Sequence, residues 1–446
     1  MDVLLWMDYL WRETDEIMKQ LFCGATIITG TGETIENGWL IIEDGKISYV
    51  GNPRPEDEQV PFDEIHDMKG KLILPGFINT HTHAAMSLLR GYADDLPLQQ
   101  WLKEKMWPIE AQFTNREVYW GSALAILEMI KSGTTCFADM YDHMDQVACV
   151  VEESGIRASL ARGVIGYGDP EVVKGKIKEM EQFARSYHGA ADGRITTMVS
   201  PHAIYTCPLP VIEQIIEISA QLSLPIHTHL SETKKEVEDC LAQYGKSPVF
   251  LMHELGLFER PTLAAHVVHV TAEELDILAE CQVSISHNPG SNLKLASGIA
   301  PVPEMIRRGI TVSLGTDSAA SNNNLDLFEE MRLASLIHKG NTLDPLAIPA
   351  ESALAMATRE GARSLGLEQK IGTLEAGKEA DFIVVSVSKP HMHPLYDPIS
   401  HLVYSARAED VSDVYVQGKP LMKERQMLTM DEERILHEVK KIVQRW

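Results

Sequence analysis

Two kinds of apolar pattern alternate along the chain. From about Cys23 to Leu74 short apolar runs, ATIITG, GWLIIEDGKISYVG and KLILPG, are punctuated by Gly and Asn-Gly, which predicts an all-β segment. After Pro75, short apolar strands alternate with longer stretches of helical period, the mark of parallel strands joined by crossover helices. Eight strand candidates follow: GFINTHTH, TTCFADM, RASLARG, ITTMVSPHA, LPIHTHLSE, TLAAHVVHV, VSISHNP and TVSLGTDS. Eight such units predict a closed (β/α)8 barrel. Helices are expected between them, for example VYWGSALAILEMIKSG, which stops at Gly133, and VIEQIIEISAQLS. After about Gly372 the pattern returns to β in IGTLEAGKEADFIVVSV and DVSDVYVQGKPLM, then ends in the charged helical run MDEERILHEVKKIVQRW.

The expected organisation is therefore α/β. It comprises an N-terminal extension over residues 1–21, a β segment over 22–75, the barrel over 76–372, and a second β segment with a terminal helix over 373–446. The two β segments are expected to pair into one small sandwich beside the barrel. The extension carries Leu4, Leu5, Tyr9 and Leu10 at helical spacing. It reads either as an amphipathic helix docked on the domain or on a neighbouring subunit, or as a poorly ordered leader.

Composition narrows the class. The chain has 446 residues, 44% apolar and 23% charged, with a formal net charge of -24, which fits a large core inside an acidic surface. That charge, with no basic stripe to offset it, argues against nucleic acid or anionic lipid as a partner. Six cysteines (Cys23, Cys136, Cys149, Cys207, Cys240, Cys281) contain no C-x-x-C. They read as reduced thiols of a cytosolic protein, and no structural zinc site is expected. No apolar run is long enough to span a bilayer, and the opening residues are too acidic for the basic region of a signal peptide, so a cytoplasmic location is expected.

The chemistry-capable residues gather at the ends of the predicted strands. His81 and His83 lie one residue apart on an extended segment, so their imidazoles point the same way and can grip one metal ion. An H-x-H pair alone equally suits hydrogen-bonded core residues. Three later strands also end in metal-capable or proton-transferring groups: His227, His229 and Glu232 in PIHTHLSE, His266 and His269 in LAAHVVHV, and Asp317 in VSLGTDSAA. The C-terminal ends of barrel strands are where such active sites are built. A catalytic metal needs about three or four protein ligands and one open position, and it lowers the pKa of water toward neutrality. His227 and His229 share a strand face, and spacing leaves either as the ligand.

The motifs PGFINTHTHAAMSLLRG, HTHLSET, SHNPGSNLKLASGIAPV, GTDSAASNNNLDLFEEMRLA and GTLEAGKEADFIVV look like the amidohydrolase superfamily, and within it the 5-methylthioadenosine/S-adenosylhomocysteine deaminases. The resemblance covers nearly everything from Cys23 onward. It implies one divalent metal, zinc or ferrous iron, held by His81, His83, His229 and Asp317, with His227 packing or orienting a neighbour. It implies that Glu232 moves a proton to the substrate ring, that His266 steers the nucleophile, and that Asp317 also takes the water proton. His269 falls off that face and reads as structural. Glu110 in MWPIEAQ is implied to hold ribose hydroxyls, His202 in SPHAIY to contact the nucleoside, and Arg162 in SLARG to face the amino-acid tail of S-adenosylhomocysteine. Glu232 and Asp317 belong to the substrate contacts as well.

One departure matters. A second arginine expected in the following loop is missing from VIGYGDPEVVKGKIKEM, which offers only Lys174 and Lys176. Lysine cannot form a planar two-point clamp, so methylthioadenosine or adenosine is expected to compete with S-adenosylhomocysteine as substrate. Trp101 and Trp107 read either as core or as lining of a purine or thioether pocket. The segment NPGSNLKLASG is expected to be a loop closing over substrate.

The implied activity is hydrolytic removal of the 6-amino group from adenosine-type nucleosides. The alternative is the same scaffold acting on another heterocycle, as a guanine or pterin deaminase or a triazine chlorohydrolase. A two-metal site is disfavoured, because the fourth strand reads MVSPHA and lacks the bridging lysine such sites use. A scaffold that has lost catalysis fits poorly with an intact ligand set. The implied partner is a small nucleoside, with no nucleic acid and no membrane, and a homo-oligomer remains open.

Overall fold

A computed structural model describes residues 18–54 and 61–446. Of the opening extension over residues 1–21, read as a docked helix or a poorly ordered leader, residues 1–17 lie outside the described residues. The N-terminal β segment is β1 (Lys19–Ile28), β2 (Thr34–Glu43), β3 (Lys46–Gly51), β4 (Glu64–Asp67) and β5 (Lys71–Pro75). The barrel strands are β6 (Phe77–Thr82), β7 (Thr134–Tyr141), β8 (Arg157–Val164), β9 (Ile195–Pro201), β10 (Ile226–Leu230), β11 (Thr262–His266), β12 (Ser284–His287) and β13 (Val312–Leu314). The chain returns to β in β14 (Phe382–Ser386), β15 (Val411–Val416), β16 (Lys419–Lys423) and β17 (Gln426–Met427).

Each of the eight barrel strands coincides with a predicted run, with β7 and β8 reaching one residue further. They pair in parallel in sequence order from β6 to β13, with a helix in every crossover. Strands buried on both faces need continuous apolar or small polar runs, and every residue of β6 is buried. No ladder joins β13 back to β6. Side chains close that seam instead: the Asn79 amide donates to Thr316 Oγ1 at 2.8 Å and accepts the Thr316 amide at 3.0 Å. Thr80 donates to the Leu314 carbonyl at 2.9 Å, and the Asp317 amide donates to the His81 carbonyl at 2.9 Å.

The two β segments form one mixed sheet, ordered β17-β16-β15-β14-β5-β1-β2-β3 with β4 beside β1. The join is β5 against β14, where Ile73 faces Val384 across some three hundred residues of chain. Phe22, Phe382 and Tyr415 pack within 4.5–5.2 Å of one another in its separate core. The sheet begins earlier than the extension boundary drawn at residue 21. Lys19, Gln20 and Leu21 already pair with Glu43, Ile42 and Ile41, because a strand's end is set by its ladder partners and not by its own apolar run.

Arg157 ties sheet to barrel. At the start of β8 its buried Nε donates to Asp381 at 2.9 Å, and Nη2 pairs with Glu379. The terminal helix Glu432–Val443 docks on the barrel helix Asn115–Lys131, with Arg116 bonded to Glu438 at 2.9 Å and Lys131 to Glu432 at 2.7 Å. Among the described residues no helix is long and apolar enough to cross a membrane.

Candidate active site

The C-terminal ends of the barrel strands open into a cavity of about 480 Å³, a volume suited to a small organic ligand. The imidazoles of His81, His83 and His229 and the carboxylate of Asp317 gather at its floor. Asp317 Oδ1 stands 3.5 Å from His81 Nε2 and 3.4 Å from His83 Nε2, and His83 Nε2 is 3.3 Å from His229 Nε2.

The other ring nitrogens are occupied. His83 Nδ1 donates to the Met140 carbonyl and His229 Nδ1 to the His202 carbonyl at 2.8 Å, which leaves both Nε2 atoms aimed at the same space. His81 Nδ1 lies 3.0 Å from His227 Nε2, so His227 orients a cluster member from behind. His81 Nε2 is buried without a hydrogen-bond partner, an expensive state that a cation would relieve. Burial pushes His81 down to about 4 and His229 well below its usual range, so both rings stay neutral and able to bind metal. Burial also raises Asp317, but the imidazoles of His81, His83 and His266 around it outweigh burial and hold the carboxyl well below the usual range. The ligand atoms of His81, His83 and Asp317, and those of His81, His229 and His266, lie close enough together to share one cation.

The backbone is strained where these groups sit. Ser231, His266 and Asp317 have φ of 49°, 75° and 61°, a left-handed region that side chains with a Cβ adopt only at a cost. Just before Asp317, a Cβ at Gly315 would stand 2.4 Å from Asn288 Oδ1 and 2.9 Å from His81 Cβ, so only glycine lets the end of β13 pass the first histidine.

Glu232, just beyond β10, is 3% exposed, and burial raises its carboxyl above the usual range. Its Oε2 lies 4.0 Å from His266 Nε2, and Ser297 donates to its Oε1 at 3.4 Å. His266 Nδ1 is held 2.8 Å from Asn292 Oδ1. Burial pushes His266 down, while Glu232 and Asp317 outweigh it and leave the ring above its usual value. Asp317 Oδ2 accepts Ser291 at 2.6 Å and Ser321 at 2.9 Å.

The remaining predicted residues line the same cavity. Glu110 accepts Tyr141 Oη at 2.5 Å, with burial raising its carboxyl. His202 packs 4.6 Å from the His229 ring. Arg162 lies on the wall, and both Trp101 and Trp107 contribute lining. His269 points away and meets the Ser297 carbonyl at 2.6 Å.

The segment expected to be a closing loop is instead built into the site. Pro289–Lys294 is a short helix with Ser291 and Asn292 buried against Asp317 and His266. A run of small polar residues looks loop-like until tertiary contacts supply its partners. Sequence reasoning also missed Glu236, whose signal was the capping pattern Thr233-x-x-Glu236, and Asp139, which takes Thr82 Oγ1 and the Ala84 amide at 2.7 Å each.

Residues 72–421 match the amidohydrolase family. The chain belongs to that family. This amidohydrolase is 52% identical over 92% of its length, and 94% of the relative's, to a 5-methylthioadenosine/S-adenosylhomocysteine deaminase of Syntrophomonas wolfei. Its structure is similar to that of a Xanthomonas campestris adenosine deaminase with bound zinc, with a TM-score of 0.90 and 34% identity over 96% of this chain and 98% of that one. It is also similar to the zinc complex of an Arthrobacter aurescens atrazine chlorohydrolase, with a TM-score of 0.88 and 25% identity over 95% of this chain and the whole of the other.

Proposed function

We propose that this amidohydrolase hydrolyses the 6-amino group of adenosine-type nucleosides (5′-methylthioadenosine, S-adenosylhomocysteine and adenosine), consuming one water and releasing ammonia and the inosine-type product. The observation that carries the reading is the gathering of two proton-handling carboxyls, Glu232 and Asp317, about His266 beside a buried donor cluster. The deaminase relative at 52% identity supports it.

His81, His83, His229 and Asp317 would hold one divalent cation, zinc or ferrous iron, both of which accept imidazole and carboxylate ligands. When bound, the cation supplies the Lewis acidity that makes water nucleophilic near neutral pH. Glu232 gives a proton to the ring nitrogen beside the reacting carbon. Its raised carboxyl keeps that proton available, and protonation stops negative charge building up on the ring. His266, anchored on Asn292, faces the nucleophile and stabilises the charge that develops at the carbon. Asp317 is ionised, so it can take the proton of water and pass it to the departing amine. The carbon thereby gains oxygen, the C–N bond breaks, ammonia leaves, and the remaining hydroxyl proton returns to Glu232. Glu110 would accept ribose hydroxyls, His202 would contact the nucleoside, and Arg162 would face its 5′ end.

The test is ammonia release by zinc-loaded protein from the three adenosine compounds and guanine, with Glu232→Gln alongside. Deamination of the adenosine compounds, reduced about a thousandfold in the variant, supports the reading. Silence on all three from folded, metal-bound protein overturns it.

A further inference from the structure

Among the described residues, Arg162 and Lys176 are the arginine and lysine side chains lining the cavity, so an anionic end on a bound molecule has these two cations to seek. Arg162 already has acidic partners. Its side chain is 16% exposed, and Nη2 lies 2.8 Å from Asp142 Oδ1 and 2.7 Å from Glu179 Oε2, with Asp145 Oδ1 4.0 Å from Nη1. Three carboxylates around one guanidinium leave the surroundings of Arg162 with excess negative charge, which the half-buried Lys176 only partly offsets.

We propose that Asp142 and Glu179 are specificity-determining residues. By offsetting the charge of Arg162 they make this mouth prefer nucleosides with a neutral 5′ end over nucleosides whose 5′ end is a carboxylate. The inference rests on the deaminase reading above and refines its substrate class. A carboxylate arriving at Arg162 meets a guanidinium whose charge is already offset and is repelled by the three carboxylates around it. A thioether or hydroxyl end meets no such repulsion. Both close carboxylates converge on Nη2 and the third stands 4.0 Å from Nη1, so the charge of the guanidinium is already offset from within the chain.

The two acids suit substitution. Their side chains are 55% and 56% exposed, and neither touches the donor cluster on the cavity floor. The experiment compares kcat/KM for 5′-methylthioadenosine, which has a neutral tail, with that for 5′-carboxyethylthioadenosine, which has an anionic one. S-adenosylhomocysteine is left out because its tail carries both charges. In the unaltered enzyme the neutral compound is expected to lead by about tenfold or more. Glu179→Gln and Asp142→Asn should each move the ratio toward the anionic compound by about fivefold to tenfold. Adding Arg162→Gln to Glu179→Gln should remove that gain, and the discrimination of the unaltered enzyme should shrink as salt screens the exposed acids.

A ratio that stays put in both acid variants overturns the inference while leaving the deaminase reading intact, as does equal use of the two compounds by the unaltered enzyme. Failure of folded, zinc-loaded protein to deaminate either compound overturns both.

Discussion

Glu236 grips the backbone of Glu232. One carboxylate oxygen accepts the Glu232 amide at 2.8 Å and the other accepts the Ser231 amide at 2.9 Å, so a buried side chain one helical turn onward sets where the proton-transferring glutamate stands. Thr233 completes the arrangement by accepting the Glu236 amide at 3.1 Å. Ser231 sits at positive φ, and this grip holds that strained turn in place.

Glu236→Ala should therefore lower kcat by about a hundredfold with bound metal unchanged, because a displacement of about 1 Å at a proton-transfer group costs that much. Elemental analysis beside steady-state kinetics checks it. Loss of metal in parallel with activity would mean that the residue supports the whole site and not Glu232 in particular.

The two histidines of HTH should separate cleanly. His229→Ala removes a nitrogen aimed into the donor cluster and should leave the protein without its cation after dialysis. His227→Ala removes only the partner of His81 Nδ1 and should weaken retention by about tenfold to a hundredfold. Chelator competition measures both, and equal losses would contradict the assignment.

Glu330 predicts a pH signature. Its buried carboxylate accepts the Gly290 amide at 3.0 Å and the Asn322 amide at 2.8 Å, tying together the segments that bring Ser291 and Ser321 to Asp317. Burial pushes it up to about 8 from a usual 4.5. Between those values the folded chain keeps a proton that the unfolded chain has released, so this group's contribution to stability falls as pH rises from about 4.5 to about 8. Glu330→Gln has nothing to titrate, and the Asn322 amide can turn to meet it. Thermal unfolding from pH 5 to 8.5 should show the native protein losing stability relative to the variant. Parallel curves would refute the shift.

Arg157→Ala should destabilise by about 3–5 kcal/mol, because it leaves Asp381 buried without its counter-charge. Denaturant unfolding measures the loss. A cost below about 1 kcal/mol would mean that water replaces the guanidinium and that the sheet–barrel junction is looser than it looks.

Much of this was legible along the chain. The alternation of short apolar strands with helical stretches is a local property, since each strand must bury both faces and each helix one, and it located all eight barrel strands. The metal-capable residues were legible for the same reason. A period of two places His81 beside His83 and His227 beside His229, and barrel topology puts strand ends on one rim.

The sequence by itself thus determined the strand and helix order and the family, because those depend on spacing between near neighbours. Only the tertiary structure decided the rest. It showed that Lys19 already pairs in a sheet, that NPGSNLK is a helix holding Asp317 and His266, that Glu236 holds Glu232, and that Arg162 is taken up by Asp142 and Glu179. Strand ladders, buried polar partners and ion pairs are chosen by what the folded chain brings within about 3 Å. For Asp381 and Arg157 that partner lies 224 residues away, a distance over which no local pattern carries information.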